Sequence, residues 1–357
     1  MSWETMKRHP IADMGFLLPL LLPVLVVVGR IAGGGWSFLP VLFVFLAVPL
    51  LDLLLPADTG IVLPKSVRST GRQLYFNGIL YAWVPIELCL LLWAASATLS
   101  TTDVMSKAGL IVSAGVVTGT IGIFVAHELG HRSGRLEHGL AYILLCSIGY
   151  THFLVEHNEG HHIRVATPDD PSTASLGQSS WSFLPRAIWG GLHDAWEIER
   201  SRLSAKGQST WSPQNRLLRG AAIQTLLWIA VAAGGGPQAL GFTIGQSAVA
   251  VVIVELGNYV EHYGLIRRRM ADGRYEPVSL QHSWNANHRL TNWLAFNLQR
   301  HSNHHCRVLR HYEALEHIES APRLPASYPA MAVLALVPPL WRYIMDPLVM
   351  SARIDHK

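Results

Sequence analysis

An all-α, polytopic membrane protein is the fold class the sequence predicts, and three observations predict it. Half of the 357 residues are apolar and 15% are charged, against roughly 25% charged in soluble domains. Mean hydropathy is positive, at +0.26. Six stretches approach the ~20 apolar residues that a helix needs to cross a bilayer core. The composition excludes disordered, collagen-like and disulfide-rich secreted chains. A formal charge of +4 is too small to suggest a nucleic-acid partner.

Residues 1–357 read as a single integral-membrane domain. The spans are expected at about 11–28, 36–55, 74–99, 108–126, 218–233 and 240–259. The first is not read as a signal peptide, because another span follows at once and no small-residue cleavage motif is evident. The turn after it, 30–35, is short and rich in glycine. The third span carries Glu87, an intramembrane carboxyl and so a functional-site candidate, with a structural hydrogen-bonding role as the alternative. Asp52 is expected near the interface. Residues 139–155 imitate a span, but a crossing there would put His127 and His131 on the opposite face from His157, His161 and His162. That stretch is therefore read as re-entrant or buried against other helices. Residues 167–216 are polar with interspersed Trp181, Trp189, Trp196 and Trp211, and are expected as hairpins or loops at the membrane surface. Gly234-Gly235-Gly236-Pro237 joins the fifth and sixth spans as a tight hairpin. Met331–Trp341 is apolar but short and is broken by Pro338-Pro339, so it is read as interfacial. With the N-terminus cytoplasmic, only Arg30 and Lys107 of the 28 Lys and Arg fall outside, which is a strong positive-inside bias. Both histidine-bearing segments, 127–217 and 260–357, then lie on the cytoplasmic side.

The chain has 18 histidines, and nine of them lie in four motifs. These are His127-Glu-Leu-Gly-His131, Glu156-His157-Asn-Glu-Gly-His161-His162, Asn258-Tyr-Val-Glu-His262-Tyr-Gly and Gln299-Arg-His301-Ser-Asn-His304-His305. Residues three or four apart share one helical face, so His127/His131, His157/His161 and His301/His304/His305 are each expected to present converging imidazoles. Nine imidazoles exceed what one ion can hold, and two ions at four or five ligands each is the natural count. Imidazole sites suit Zn, Fe, Cu or Ni, and spacing does not choose among them. Glu128, Glu156, Glu261, Asp169 and Asp170 are candidates to orient the rings by accepting the second N–H, with surface charges or helix caps as the alternative. Of the other histidines, His152 and His193 are expected as core residues. His9, His138, His282, His288, His311, His317 and His356 are expected at the surface. Cys89 and Cys146 are expected as core thiols; Cys306 follows the last motif without an assigned role. No CxxC pair is present, which excludes a cysteine-based metal module in this chain. HExxH at 127–131 also has the form of a zinc protease motif, but such a site needs one further ligand rather than seven more histidines.

A metal site at the inner ends of lipid-embedded helices is open to a hydrophobic substrate arriving from the bilayer. The second, third and fourth spans are expected to wall its path. HELGHR at 127–132, EHNEGHH at 156–162 followed by RVATPDDPSTA at 164–174, NYVEHYGLIR at 258–267, LQRHSNHH at 298–305 and LPASYPAM at 324–331 together resemble the integral-membrane alkane 1-monooxygenase (AlkB) family. More broadly they resemble the membrane fatty acid desaturase and hydroxylase superfamily. The resemblance implies six transmembrane helices and a diiron centre facing the cytoplasm from the bacterial inner membrane. It implies hydroxylation of the terminal methyl of medium- or long-chain n-alkanes with O2 and electrons from rubredoxin, itself served by rubredoxin reductase. Position by position, it implies His127, His131, His157, His161, His162, His262, His301, His304 and His305 as ligands to two Fe ions. Two positions depart from the pattern: Asn303 stands where Asp is frequent, and Cys306 where a small residue is usual. The chain lacks the cysteines of a fused rubredoxin, so the donor is expected to be a separate protein. A fatty acyl desaturase or lipid hydroxylase shares the histidine boxes, and NYVEHYG argues against it. A metal transporter or sensor would place its ligands near the bilayer midplane, where these do not fall.

Overall fold

The computed structural model describes residues 13–58 and 70–354. His9, His356 and the first two residues of the first expected span lie outside them. All regular elements described are helical, apart from two isolated β-bridges.

Five helices are long and apolar enough to cross a membrane: α1 (Gly15–Ala32), α2 (Gly34–Leu54), α3 (Gly71–Leu99), α4 (Val104–Gly130) and a 47-residue helix whose bounds are Arg216–His262. The last would be about 70 Å long if straight, more than twice the hydrocarbon thickness. It is not straight. Gly236 takes φ 68°, ψ −169°, a left-handed backbone that glycine adopts without a Cβ penalty. We divide the helix there into α5 (216–235) and α6 (237–262). Arg216 is ion-paired with Glu159, between the histidines of the second motif. A Cβ on Gly235 would touch Leu99 at the far end of α3. His262 is back among the histidines. The chain thus doubles back at Gly236-Pro237, as the glycine run predicts.

The fourth span is the central one. In its most apolar window 78% of the residues are buried, against 28% in α1 and in α2. Its small residues permit close approach: a Cβ at Gly119 would lie 2.6 Å from Ala250 Cα, and one at Gly109 would lie 2.4 Å from Ser37 Cβ. Small residues are the usual means of packing helices in lipid, where burial of apolar surface distinguishes little. Glu87 of α3 is fully buried. It accepts from Trp83 Nε1 at 2.9 Å and from Ser147 Oγ at 2.9 Å, which is the structural alternative of the sequence reading.

At the histidine end the connections become helical too. Helix α7 (Arg135–Ser147) runs 13 residues and turns back at Gly149, φ 68°. The next histidine-bearing helix, α8 (153–164), follows it. The surface segment contributes α9 (Ser180–Ser204), then come α10 (Arg289–Leu294), α11 (His301–Cys306), α12 (Tyr328–Ala335) and α13 (Pro338–Ile354). The expected break comes just before Pro338-Pro339: α12 ends at Ala335 and the two prolines open α13.

Asp52, at the end of α2, caps α10 from outside. It accepts from Leu290 N at 2.7 Å, Thr291 N at 3.1 Å and Thr291 Oγ1 at 2.6 Å, while the α10 N-cap residue, His288, makes no side-chain cap bond. Leaving buried donors unpaired costs about 1–3 kcal/mol. Asp52→Ala is expected to destabilise the protein by that amount, and Asp52→Asn by less. Thermal unfolding in detergent, followed by circular dichroism, checks the order; equal midpoints would refute the cap.

Candidate metal centre

The four motifs sit where helices meet at one end of the bundle. His127 stands in the last turn of α4 and His131 just beyond it; α8 brings His157, His161 and His162; His262 is the last residue of α6; α11 brings His301, His304 and His305. All nine converge. They form two groups, His127/His131/His157/His162/His304 and His161/His262/His301/His305, with ligand atoms within 4.8 Å of one another in each. The groups adjoin at His162 and His305, whose ring centroids are 4.5 Å apart. Residues 139–155 therefore do not carry the second motif to the other face.

The pairing inside the motifs differs from the spacing rule. His157 and His161 are expected to present converging imidazoles on one face; they belong to different groups. The turn 157–161 is wound with i→i+5 hydrogen bonds. That brings position i+5, not i+4, onto the same face. His157 accordingly meets His162, with Nε2 atoms 3.0 Å apart. In α11, His301 and His305 keep the i,i+4 relation, with Nε2 atoms 3.0 Å apart, while His304 turns to the other group.

The geometry fits metal ions better than mutual hydrogen bonding. His162 Nε2 lies 3.2 Å from His131 Nε2, 3.0 Å from His157 Nε2 and 3.3 Å from His304 Nε2. A single ring nitrogen cannot hydrogen-bond to three such neighbours. Two imidazole nitrogens bound to one ion at ~2.0–2.1 Å stand about 3.0–3.4 Å apart. In the second group, His262 and His301 Nε2 are 3.1 Å apart. His161 Nδ1 donates to Asp170 Oδ2 at 2.9 Å, which leaves His161 Nε2 buried and without a partner. Burial pushes His157, His162, His301, His304 and His305 well below the ordinary imidazole value, and His131 down to about 3. Neighbouring rings add to the effect. Neutral imidazole is the form that binds metal.

Of the five carboxylates proposed to orient rings, Asp170 does so. Glu261 Oε2 lies 3.4 Å from His301 Nε2. Glu128 pairs with Arg132 instead, Asp169 is exposed, and Glu156 keeps a buried oxygen without a partner. Sequence reasoning missed Ser283, whose Oγ lies 3.4 Å from His262 Nδ1. It also missed Asn285, which clamps α11 by accepting from Ser302 N at 2.9 Å and donating to Ser302 Oγ at 2.6 Å. Neither carries a motif. Several other placements are corrected. His193 is exposed and His152 half-buried, not core; His282 is buried, with Nδ1 accepting from Ser279 N. Cys89 is exposed while Cys146 is buried.

An apolar cavity of about 100 Å³ reaches the site. His127, His157 and His301, with Asn258 and Glu261, form its polar end, so it touches both groups. Its walls come from α2 (Val44, Phe45), α4 (Ile121, Phe124), α6 (Ile253, Val254), α10 and α12. The third span, expected as a wall, contributes no lining residue, and α6 takes its place.

Comparison with known proteins agrees with this arrangement. The pattern of the fatty acid desaturase family matches residues 105–335, which span all four motifs. Alkane 1-monooxygenase 2 of Pseudomonas aeruginosa is 42% identical over 88% of this chain and 84% of its own length. The chain belongs to the alkane 1-monooxygenase family. Alkane 1-monooxygenase 2 of Alcanivorax borkumensis, another relative, is 37% identical over 96% of the chain and 91% of its own length. A wider relative is the hydroxylase component of a xylene/toluene monooxygenase from Pseudomonas putida, 31% identical over 90% and 85%. Membership in the alkane 1-monooxygenase family makes the chain an oxidoreductase.

Proposed function

We propose that this chain hydroxylates the terminal methyl group of n-alkanes with O2 at a pair of iron ions, taking electrons from rubredoxin. The observation that carries the reading is the apolar cavity that ends on histidines of both groups. We assign His127, His131, His157, His162 and His304 to one ion and His161, His262, His301 and His305 to the other. In the same reading the chain crosses the bacterial inner membrane six times, α5 and α6 being separate spans, and the site faces the cytoplasm. The balance is alkane, O2, two electrons and two protons to primary alcohol and water. The iron pair would supply the activation of O2.

The protein's own part is positioning and exclusion of water. Phe153 stacks on His157 with ring centroids 4.8 Å apart and planes at 15°, which fixes that imidazole. Polar residues in the cavity wall are satisfied away from it. Thr120 Oγ1 donates to Val116 O, Thr291 Oγ1 to Asp52, and Tyr328 OH to Trp284 O. Asn258 Nδ2 donates to Glu255, so an alkyl chain meets mostly carbon along its length and, at its end, the three histidines with Glu261 beside His301. Holding it end-on presents the methyl in place of the weaker internal C–H bonds, which is catalysis by orientation.

Product identity tests the reading. Cells expressing the chain with a rubredoxin and its reductase are supplied with octane, hexadecane or a saturated acyl substrate. Primary alcohol that depends on rubredoxin is expected. An unsaturated acyl product without alcohol would place the chain among desaturases and overturn the assignment.

A further inference from the structure

Most glycines of the spanning helices have a visible reason. Gly115, Gly119 and Gly245 lie against a neighbouring helix, where a Cβ would come within 2.5–2.8 Å of Val249, Ala250 and Ile111. Gly35, Gly71, Gly78, Gly234 and Gly241 have none, and neither does Gly257 of α6, which alone among them lines the apolar cavity. Its φ is not in the left-handed region, and an added Cβ would meet nothing within 4 Å. Glycine is disfavoured inside a helix on conformational grounds, and where such a glycine borders a cavity its missing side chain is itself a feature of the wall.

Gly257 lines the apolar cavity. It is also only half-buried, as are five other lining residues: Phe45, Phe124, Ile253, Pro329 and Ala332. The remaining lining residues, His127, His157 and His301 among them, are buried. The half-buried group belongs to α2, α4, α6 and α12, and α2, α4 and the helix that contains Gly257 are each long and apolar enough to cross a membrane. The cavity therefore opens sideways between helices of membrane-spanning length, and one stretch of its rim has no side chain.

We propose that Gly257 holds open a lateral mouth between α6 and α12 through which an alkyl chain passes from the bilayer to the histidines, and so sets how readily substrate enters. The inference rests on the alkane-hydroxylase reading. It makes Gly257 a specificity-determining residue that touches the passing chain but not the reacting carbon.

The test uses the full chain in lipid nanodiscs, loaded with iron and supplied with rubredoxin and its reductase. Octane and hexadecane are the substrates, and Gly257→Leu and Gly257→Val are the variants. In a narrowed mouth kcat/KM for hexadecane is expected to fall roughly tenfold or more in Gly257→Leu and less in Gly257→Val, while kcat at saturating alkane stays near that of the parent chain. Iron content is expected to be unchanged in both. A merely structural role would lower kcat and iron together. If the Leu variant fails to insert, the Val variant decides by the same criterion. A parent chain that makes alcohol, with kcat/KM equal in whichever variant inserts, would overturn the mouth alone. A parent chain that makes no alcohol would overturn the hydroxylase reading and the mouth with it.

Discussion

His262→Ala is expected to abolish alkane hydroxylation and remove about one iron ion of two, with the chain still inserted in the membrane. His262 belongs to the group of four and is fully buried. Its Nε2 lies 3.1 Å from that of His301. Without it, three imidazoles remain for that ion, and the group of five is intact. Losing a residue that only orients a ligand typically costs 10–100-fold in metal affinity or activity, so losing the ligand itself is expected to cost more than ~100-fold. His304→Ala is the informative contrast, because it leaves four imidazoles in its group. Iron is expected to be retained better there than in His262→Ala. Metal analysis of purified protein, beside alcohol production, checks both. Two iron ions and full activity in His262→Ala would remove that residue from the ligand set.

The contrast depends on an assignment of rings to groups that is not legible in the sequence. The four motifs, their convergence and the total of nine were legible, because imidazoles three or four residues apart on a helix must lie near one another. Which ring joins which group depends on how each turn is wound. The i→i+5 turn at 157–161 sends His157 and His161 apart, and nothing in HNEGH announces it. The route of the backbone was legible at Gly236, where a glycine run meets a proline. Exposure inside the membrane was less so. Cys89 lies in an apolar run yet is exposed, because a residue facing lipid and one facing a neighbouring helix obey the same hydropathy. The cavity wall failed for the same reason: apolar composition marks the third and sixth spans alike, and only packing shows that Ile253 and Val254 line it. Asp52 was placed near the interface from its position at a span end, but its partner, α10, lies more than 230 residues away along the chain.

Asp170 was one of five carboxylates that sequence alone left equivalent, and Asp170→Asn separates it from the rest. Its side chain is fully buried. It accepts from His161 Nδ1 at 2.9 Å, Thr173 Oγ1 at 2.6 Å and Ser172 N at 3.0 Å. Burial by itself would raise this carboxyl, but His161 and Thr173 hold it below the usual range. Asparagine occupies the same volume with a single acceptor oxygen. Whichever way the amide is turned, its NH2 faces a donor, either Ser172 N–H or the pair formed by His161 and Thr173. The favoured tautomer of His161, with its proton on Nδ1 and a lone pair on Nε2, is no longer enforced. A loss of about 10–100-fold in metal affinity or activity is expected, confined to the group of four. Chelator competition on the iron-loaded protein should then release one ion early and hold the second as the parent chain does. Asp169→Asn changes an exposed neighbour and is expected to leave both ions in place. Equal chelator resistance in the two variants would mean that packing, not the carboxylate, sets the tautomer of His161. A uniform loss of both ions in Asp170→Asn would mean that the two groups bind metal as one cooperative unit.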